Sequence, residues 1–129
     1  MADRDDVPPS SMETNVVHVD PAMAKKRGVL TVTSGPDAGK IIPVARGAMI
    51  TFGRSPDCDV CFDDASLSRG HARVMWVGSD YVMRDDGSRN GTFVNDKRIE
   101  RATVLGDGDT VQLGSDTKMR FALMDAQEE

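Results

Sequence analysis

Beyond residue 27 the chain is a succession of short apolar runs separated by turns rich in Gly, Asp, Asn and Ser. Val29–Thr33 is β-branched apart from Leu30, and Ser34-Gly35-Pro36-Asp37-Ala38-Gly39-Lys40 has turn composition. Ile41–Val44 reads as a second strand, and its Pro43 places it at a sheet edge or strand end. Ala48–Gly53 and the short Val60–Phe62 follow. His71–Val77 and Tyr81–Asp85 are joined by the turn Gly78-Ser79-Asp80. Thr92–Asn95 runs into the tight turn Asn95-Asp96-Lys97. Ile99 and Val104–Leu105 make minor strands, and Thr110–Gly114 and Met119–Met124 close the series. Apolar positions nowhere recur at the 3.6-residue spacing of an amphipathic helix. Many short strands at regular spacing predict an all-β, two-sheet sandwich over residues 28–125.

The first 27 residues break this pattern. They are polar, proline-bearing and mixed in charge, and they offer little area to bury, so a flexible, disordered tail is expected there. Within it Met12-Glu13-Thr14-Asn15-Val16-Val17-His18-Val19-Asp20 forms an island with the character of a short linear motif. Residues 126–129 are again polar.

Composition narrows the function classes. The 129 residues are 39% hydrophobic and 29% charged, which fits one domain with one core plus a tail. Aromatics supply only 5%, so aliphatic residues and Met must fill most of that core. The formal net charge of -5 argues against generic nucleic-acid or anionic-membrane binding. A few arginines gathered in one cleft can still hold an anion at short range. No apolar stretch is long enough to span a bilayer, and the N-terminus lacks the basic start and apolar run of a signal peptide, so the cytoplasm is the expected compartment.

Cys58 and Cys61 are spaced C-x-x-C, but redox versions of that motif open a helix after a strand. Here the flanking residues read as a strand entry. A zinc site would need more ligands, with only His18 and His71 as further strong candidates. No metal or cofactor is expected, and small apolar filler in a reducing compartment is the simpler reading of both thiols.

Three polar loops carry the candidate chemistry. Arg54 follows Gly53 at a strand end, where a guanidinium can fork onto two phosphate oxygens or instead pair with Asp57 or Asp59. Ser68-Arg69-Gly70-His71 adds a hydroxyl and a second guanidinium, with His71 turned inward to brace the loop. Asn90-Gly91 is a turn signal whose amide offers a donor and an acceptor to an extended peptide. Ser68, His71 and Asp85 supply the residue types of a hydrolytic triad, but the chain lacks the G-x-S-x-G elbow, so no enzymatic activity is expected.

Gly53-Arg54, Ser68-x-x-His71 and Asn90-Gly91-Thr92-x-x-Asn95, in this order and spacing, resemble the signature of the forkhead-associated (FHA) domain. The likeness runs from about Val29 to Met124. It implies a sandwich of about eleven strands that reads phosphothreonine peptides through loops at one end. Under it, Arg54 and Ser68 hold the phosphate, Arg69 sits beside it, and Asn90 grips the peptide main chain. Gly53, His71, Gly91 and Asn95 are then structural. Many members carry Ser or Thr where this chain has Arg89, and some carry Asn where it has Arg69; both differences add positive charge near the proposed phosphate.

The expected function is therefore a phosphothreonine-dependent binding module in Ser/Thr-kinase signalling. Its partners would be a phosphothreonine-containing protein, a Ser/Thr protein kinase, or its own N-terminal tail. Thr14, with Val17 three residues on, is the candidate phosphorylation site, because the family often reads an aliphatic residue at that third position. The alternative is an input domain of a larger regulator or enzyme, such as a diguanylate cyclase.

Overall fold

The computed structural model describes residues 26–125. Eleven strands are present in that span. They are β1 (Lys26–Ser34), β2 (Ile41–Val44), β3 (Met49–Gly53), β4 (Val60–Cys61), β5 (Ala72–Val77), β6 (Asp80–Asp85), β7 (Thr92–Val94), β8 (Lys97–Arg98), β9 (Thr103–Val104), β10 (Thr110–Leu113) and β11 (Thr117–Asp125). One sheet runs β9-β6-β5-β3-β4 and the other β2-β1-β11-β10-β7-β8. The expected all-β sandwich is the observed one. The first strand begins at Lys26 rather than near Gly28. Between Asn95 and Leu105 the strands fall on Lys97–Arg98 and Thr103–Val104 instead of on Ile99 and Val104–Leu105, and Ile99 is a buried loop residue.

Alternation builds the core. Leu30 and Val32 of β1, Val111 and Leu113 of β10, and Met119 and Phe121 of β11 face inward from one sheet. Phe52 of β3, Ala72 and Val74 of β5, and Tyr81 and Met83 of β6 meet them from the other. Tyr81 ties the sheets together. Its hydroxyl donates to Val44 O at 2.7 Å and accepts from Gly28 N at 3.0 Å, while its ring packs edge-on against Trp76 and Phe121. Pro43 lies on β2, the edge strand beside β1, where a missing amide proton leaves the sheet's interior ladders intact.

Two features set the ends of the molecule. β1 and β11, the first and last strands, are antiparallel neighbours paired from Ser34↔Lys118 to Lys26↔Asp125. Lys26 Nζ meets Asp125 Oδ1 at 2.9 Å, at the same end as the β5–β6 turn. At the opposite end the β1–β2, β3–β4, β4–β5, β6–β7 and β10–β11 loops converge. There Leu67 and Phe62, 2% and 0% exposed, anchor the long β4–β5 loop in the core. No helix of the described residues is long and apolar enough to cross a membrane.

Candidate functional site

The loop end is held by main-chain bonds before any side chain acts. Past the β3–β5 ladder, His71 N donates to Phe52 O at 2.9 Å, Arg54 N to Ser68 O at 3.0 Å and Ser55 N to Arg69 O at 3.1 Å. The Arg54 loop and the Ser68 loop are thus laced edge to edge. Gly53 sits where a Cβ would collide with the Arg69 carbonyl oxygen, so only glycine permits this approach.

His71 is fully buried and joins two loops. Its Nδ1 accepts from Ser68 N at 3.1 Å, and its Nε2 lies 2.8 Å from Gly91 O. A carbonyl only accepts, so Nε2 carries the proton and the ring is the neutral Nε2–H tautomer. Gly91 has φ 92°, and a Cβ there would press on the Arg98 guanidinium. Asn95, with φ 51°, donates from Nδ2 to Asp109 Oδ1 and accepts from Thr110 N on Oδ1, both at 3.0 Å, which fixes the β7–β8 turn against β10.

Arg54, Ser68, Arg69, Arg89 and Asn90 line one cleft of about 290 Å³, together with Ala65, Ser66 and Leu67. Three of these residues are cationic and none is acidic. Arg54 Nε donates to Leu67 O at 3.0 Å, which leaves its two terminal nitrogens as further donors. Its alternative partners are otherwise engaged or unpaired with it: Asp59 accepts from the amide and hydroxyl of Thr51, and no described ion pair joins Arg54 to Asp57. Ser68 Oγ accepts from Arg89 N at 2.9 Å, leaving the hydroxyl proton to donate elsewhere. Asn90 Nδ2 donates to Ser66 O at 2.8 Å. Its amide nitrogen therefore braces the neighbouring loop, and the side-chain oxygen is the part able to receive a peptide amide.

Two carboxylate hubs hold these loops: Asp64, which the sequence does not single out, and Asp85, whose residue type suggests a triad member rather than a brace. Asp64, 3% exposed, accepts from Ser66 N and Ser66 Oγ at 2.8 Å and from Thr117 Oγ1 at 2.6 Å. Ser66 Oγ in turn accepts from Ser115 N. Asp85 accepts from Gly87 N, Ser88 N, the Ser88 hydroxyl and Thr92 Oγ1, while Ser88 Oγ accepts from Gly91 N at 2.9 Å. Burial pushes both carboxyls up, but the hydroxyl and amide donors outweigh it and hold both below the ordinary aspartate value. The local signal was the spacing of an acid two or three residues before a serine, as in Asx turns.

Ser68, His71 and Asp85 do not form a triad. Both His71 nitrogens serve main-chain groups, and Asp85 is engaged by Ser88, Thr92 and two amides. The cysteines also differ from the apolar filler expected: Cys61 is exposed, and Cys58 and Cys61 each donate weakly, to Arg69 O and Arg54 O. Among the described residues no three His, Cys, Asp or Glu side chains gather as a metal site requires. Thr14 and Val17 lie outside the described residues.

The FHA domain family matches residues 50–114. The glycogen accumulation regulator GarA of Mycobacterium tuberculosis is 40% identical over 86 residues, which cover 67% of this chain and 52% of GarA. The chain thus spans about half of that relative's length. The oxoglutarate dehydrogenase inhibitor of Corynebacterium jeikeium is 36% identical over 101 residues, covering 78% of this chain and 67% of the inhibitor. Among solved structures, Mycobacterium tuberculosis EmbR in complex with a low-affinity phosphopeptide superposes with a TM-score of 0.67 at 30% identity, over 80% of this chain and 26% of EmbR. Motif spacing, sandwich topology and these likenesses agree: the chain belongs to the FHA domain family.

Proposed function

We propose that the loop cleft binds the phosphate of phosphothreonine-containing peptides and that the chain acts as a phosphorylation-dependent docking module in Ser/Thr-kinase signalling. The observation that carries this is a cleft with three guanidiniums, two serine hydroxyls and no acid in its lining, on a protein whose net charge is -5. A phosphate brings nearly two negative charges and three acceptor oxygens, which such a cleft recognises and an unmodified threonine does not supply. Arg54 and Ser68 hold the phosphate, Arg69 stands beside it, and Asn90 Oδ1 receives a main-chain amide of the peptide. Membership of the FHA family and the phosphopeptide held by EmbR support the reading.

Titration of matched phosphorylated and plain peptides tests it. Only the phosphorylated form should bind. Arg54→Ala should weaken binding by roughly ten- to a hundredfold, the equivalent of about 1.5–3 kcal/mol for a charge-assisted hydrogen bond, with the fold intact. Equal affinity for the two peptides would sink the proposal.

The finer form of this reading makes Thr14, once phosphorylated, a ligand of the same cleft. Tethering in the same chain raises the local concentration, to roughly millimolar for short linkers in general, so the phosphorylated tail would compete with outside partners. Phosphorylating Thr14 should move the amide resonances of Arg54, Ser68 and Asn90. Unmoved resonances would remove Thr14 from the scheme. The second reading, an input domain within a larger regulator, draws on EmbR, where the matching region is about a quarter of the chain.

A further inference from the structure

The three guanidiniums of the cleft are not equivalent. Arg69 lines a second cleft as well, one whose lining also includes Asp57, Cys58 and Asp86. Arg54 is committed through Nε to Leu67 O and through its main chain to Ser68 O. Arg89 lines only the anion cleft of these two, is exposed, and meets no carboxylate in a described ion pair. On strands β5 and β6, by contrast, Arg73 and Arg84 both pair with Asp86, at 2.9 and 3.3 Å. Arg89 thus offers the anion cleft a guanidinium with no described carboxylate partner.

Its placement is fixed from the main chain. Arg89 N is held by Ser68 Oγ, so the root of the side chain stands next to the phosphate-binding hydroxyl, and the following residue is Asn90. A phosphothreonine brings about 1.5 to 2 negative charges. Three guanidiniums bring three positive ones, which leaves roughly one unmatched when the phosphate alone is bound.

Resting on the phosphopeptide reading above, we propose that Arg89 is a specificity residue and that the preferred ligand carries a second anionic group, a carboxylate or a further phosphate, on a residue immediately flanking the phosphothreonine. The chain's own candidate has this character: Glu13 directly precedes Thr14.

The test uses the full chain and a set of peptides identical except beside the phosphothreonine, with Glu before it, Glu after it, phosphoserine after it, Ala at both positions, or Lys at both. Each is titrated against the parent protein, Arg89→Ala and Arg89→Glu. Exposed charge pairs are worth up to about 1 kcal/mol, so at low salt the parent should favour at least one acidic peptide over the Ala peptide by about three- to fivefold. Arg89→Ala should lose that preference while still requiring the phosphate, and Arg89→Glu should favour the Lys peptide. Substitution leaves Arg89 N in place, and native amide spectra would show that the Ser68 contact persists. If phosphorylated and plain peptides bind alike, the phosphate reading fails. If phosphate is required but the parent is indifferent to flanking charge, or Arg89→Ala keeps the same preference, the Arg89 assignment alone is overturned. Improvement with phosphoserine but not with Glu would place the second anion as a phosphate; improvement with either Glu peptide would place it as a carboxylate and give the side on which it lies.

Discussion

Ser68 and His71 stand three residues apart and do different things. Ser68 is half-buried at the cleft, with its hydroxyl held by Arg89 N. His71 is fully buried, and each ring nitrogen meets a main-chain group of a different loop. Ser68→Ala removes a hydroxyl from an open cleft, whereas His71→Ala leaves a cavity and strands a part-buried amide and a buried carbonyl. The expected outcome is a loss of phosphopeptide affinity with little change in Tm for Ser68→Ala. His71→Ala should lose about 2 kcal/mol or more of stability, at about 1–3 kcal/mol for each buried group left unpaired. Thermal melts and peptide titrations on the two variants check this, and variants that melt and bind alike would erase the division.

At the scale of loops, the cleft is shaped by Asp64 and Asp85 as much as by the residues that line it. Both carboxyls are raised by burial yet held below their ordinary value by more numerous hydroxyl and amide donors. Linkage then fixes the sign. A carboxylate whose folded pKa is depressed contributes stability that is fully present above the ordinary aspartate range, near about pH 4, and that disappears as the pH falls through the folded value. Melting temperatures should therefore hold level down to about pH 5 and drop steeply below about pH 4. Asp64→Asn should start lower and flatten that drop, and an unchanged acid slope in the variant would show that Asp64 is not part of it. These hubs also mark where sequence reading stops. Strands such as Val29–Thr33 were legible because β-branched alternation is local, and Pro43 gave away its edge strand for the same reason. The loop motifs were legible through their spacing. The bond between Asp64 and Thr117 was not, because the two lie 53 residues apart and only the closed sandwich brings them together. The commitment of Asn90 Nδ2 to Ser66 O, 24 residues off, was hidden in the same way.

For the whole molecule, the pairing of β1 with β11 works as a ruler. Lys26 and Asp125 meet at the end opposite the loops, so a segment entering β1 begins a full strand's length from the cleft. The nine residues of β1 cover about 27 Å at ~3.3 Å per residue. Thr14 lies twelve residues before Lys26, a leash of at most about 40 Å. The margin is on the order of 13 Å, about four residues of chain. If phosphorylated Thr14 reaches the cleft of its own chain, removing about five residues between Thr14 and Lys26 makes the leash shorter than the strand it must run beside. The phosphorylated variant should then stay open as a monomer when dilute and exchange tails into a dimer when concentrated, whereas the full-length leash should close as a monomer throughout. Light scattering across a dilution series reads the difference. A shortened chain that still closes on itself at every concentration would mean that the phosphate is read at the Lys26 end.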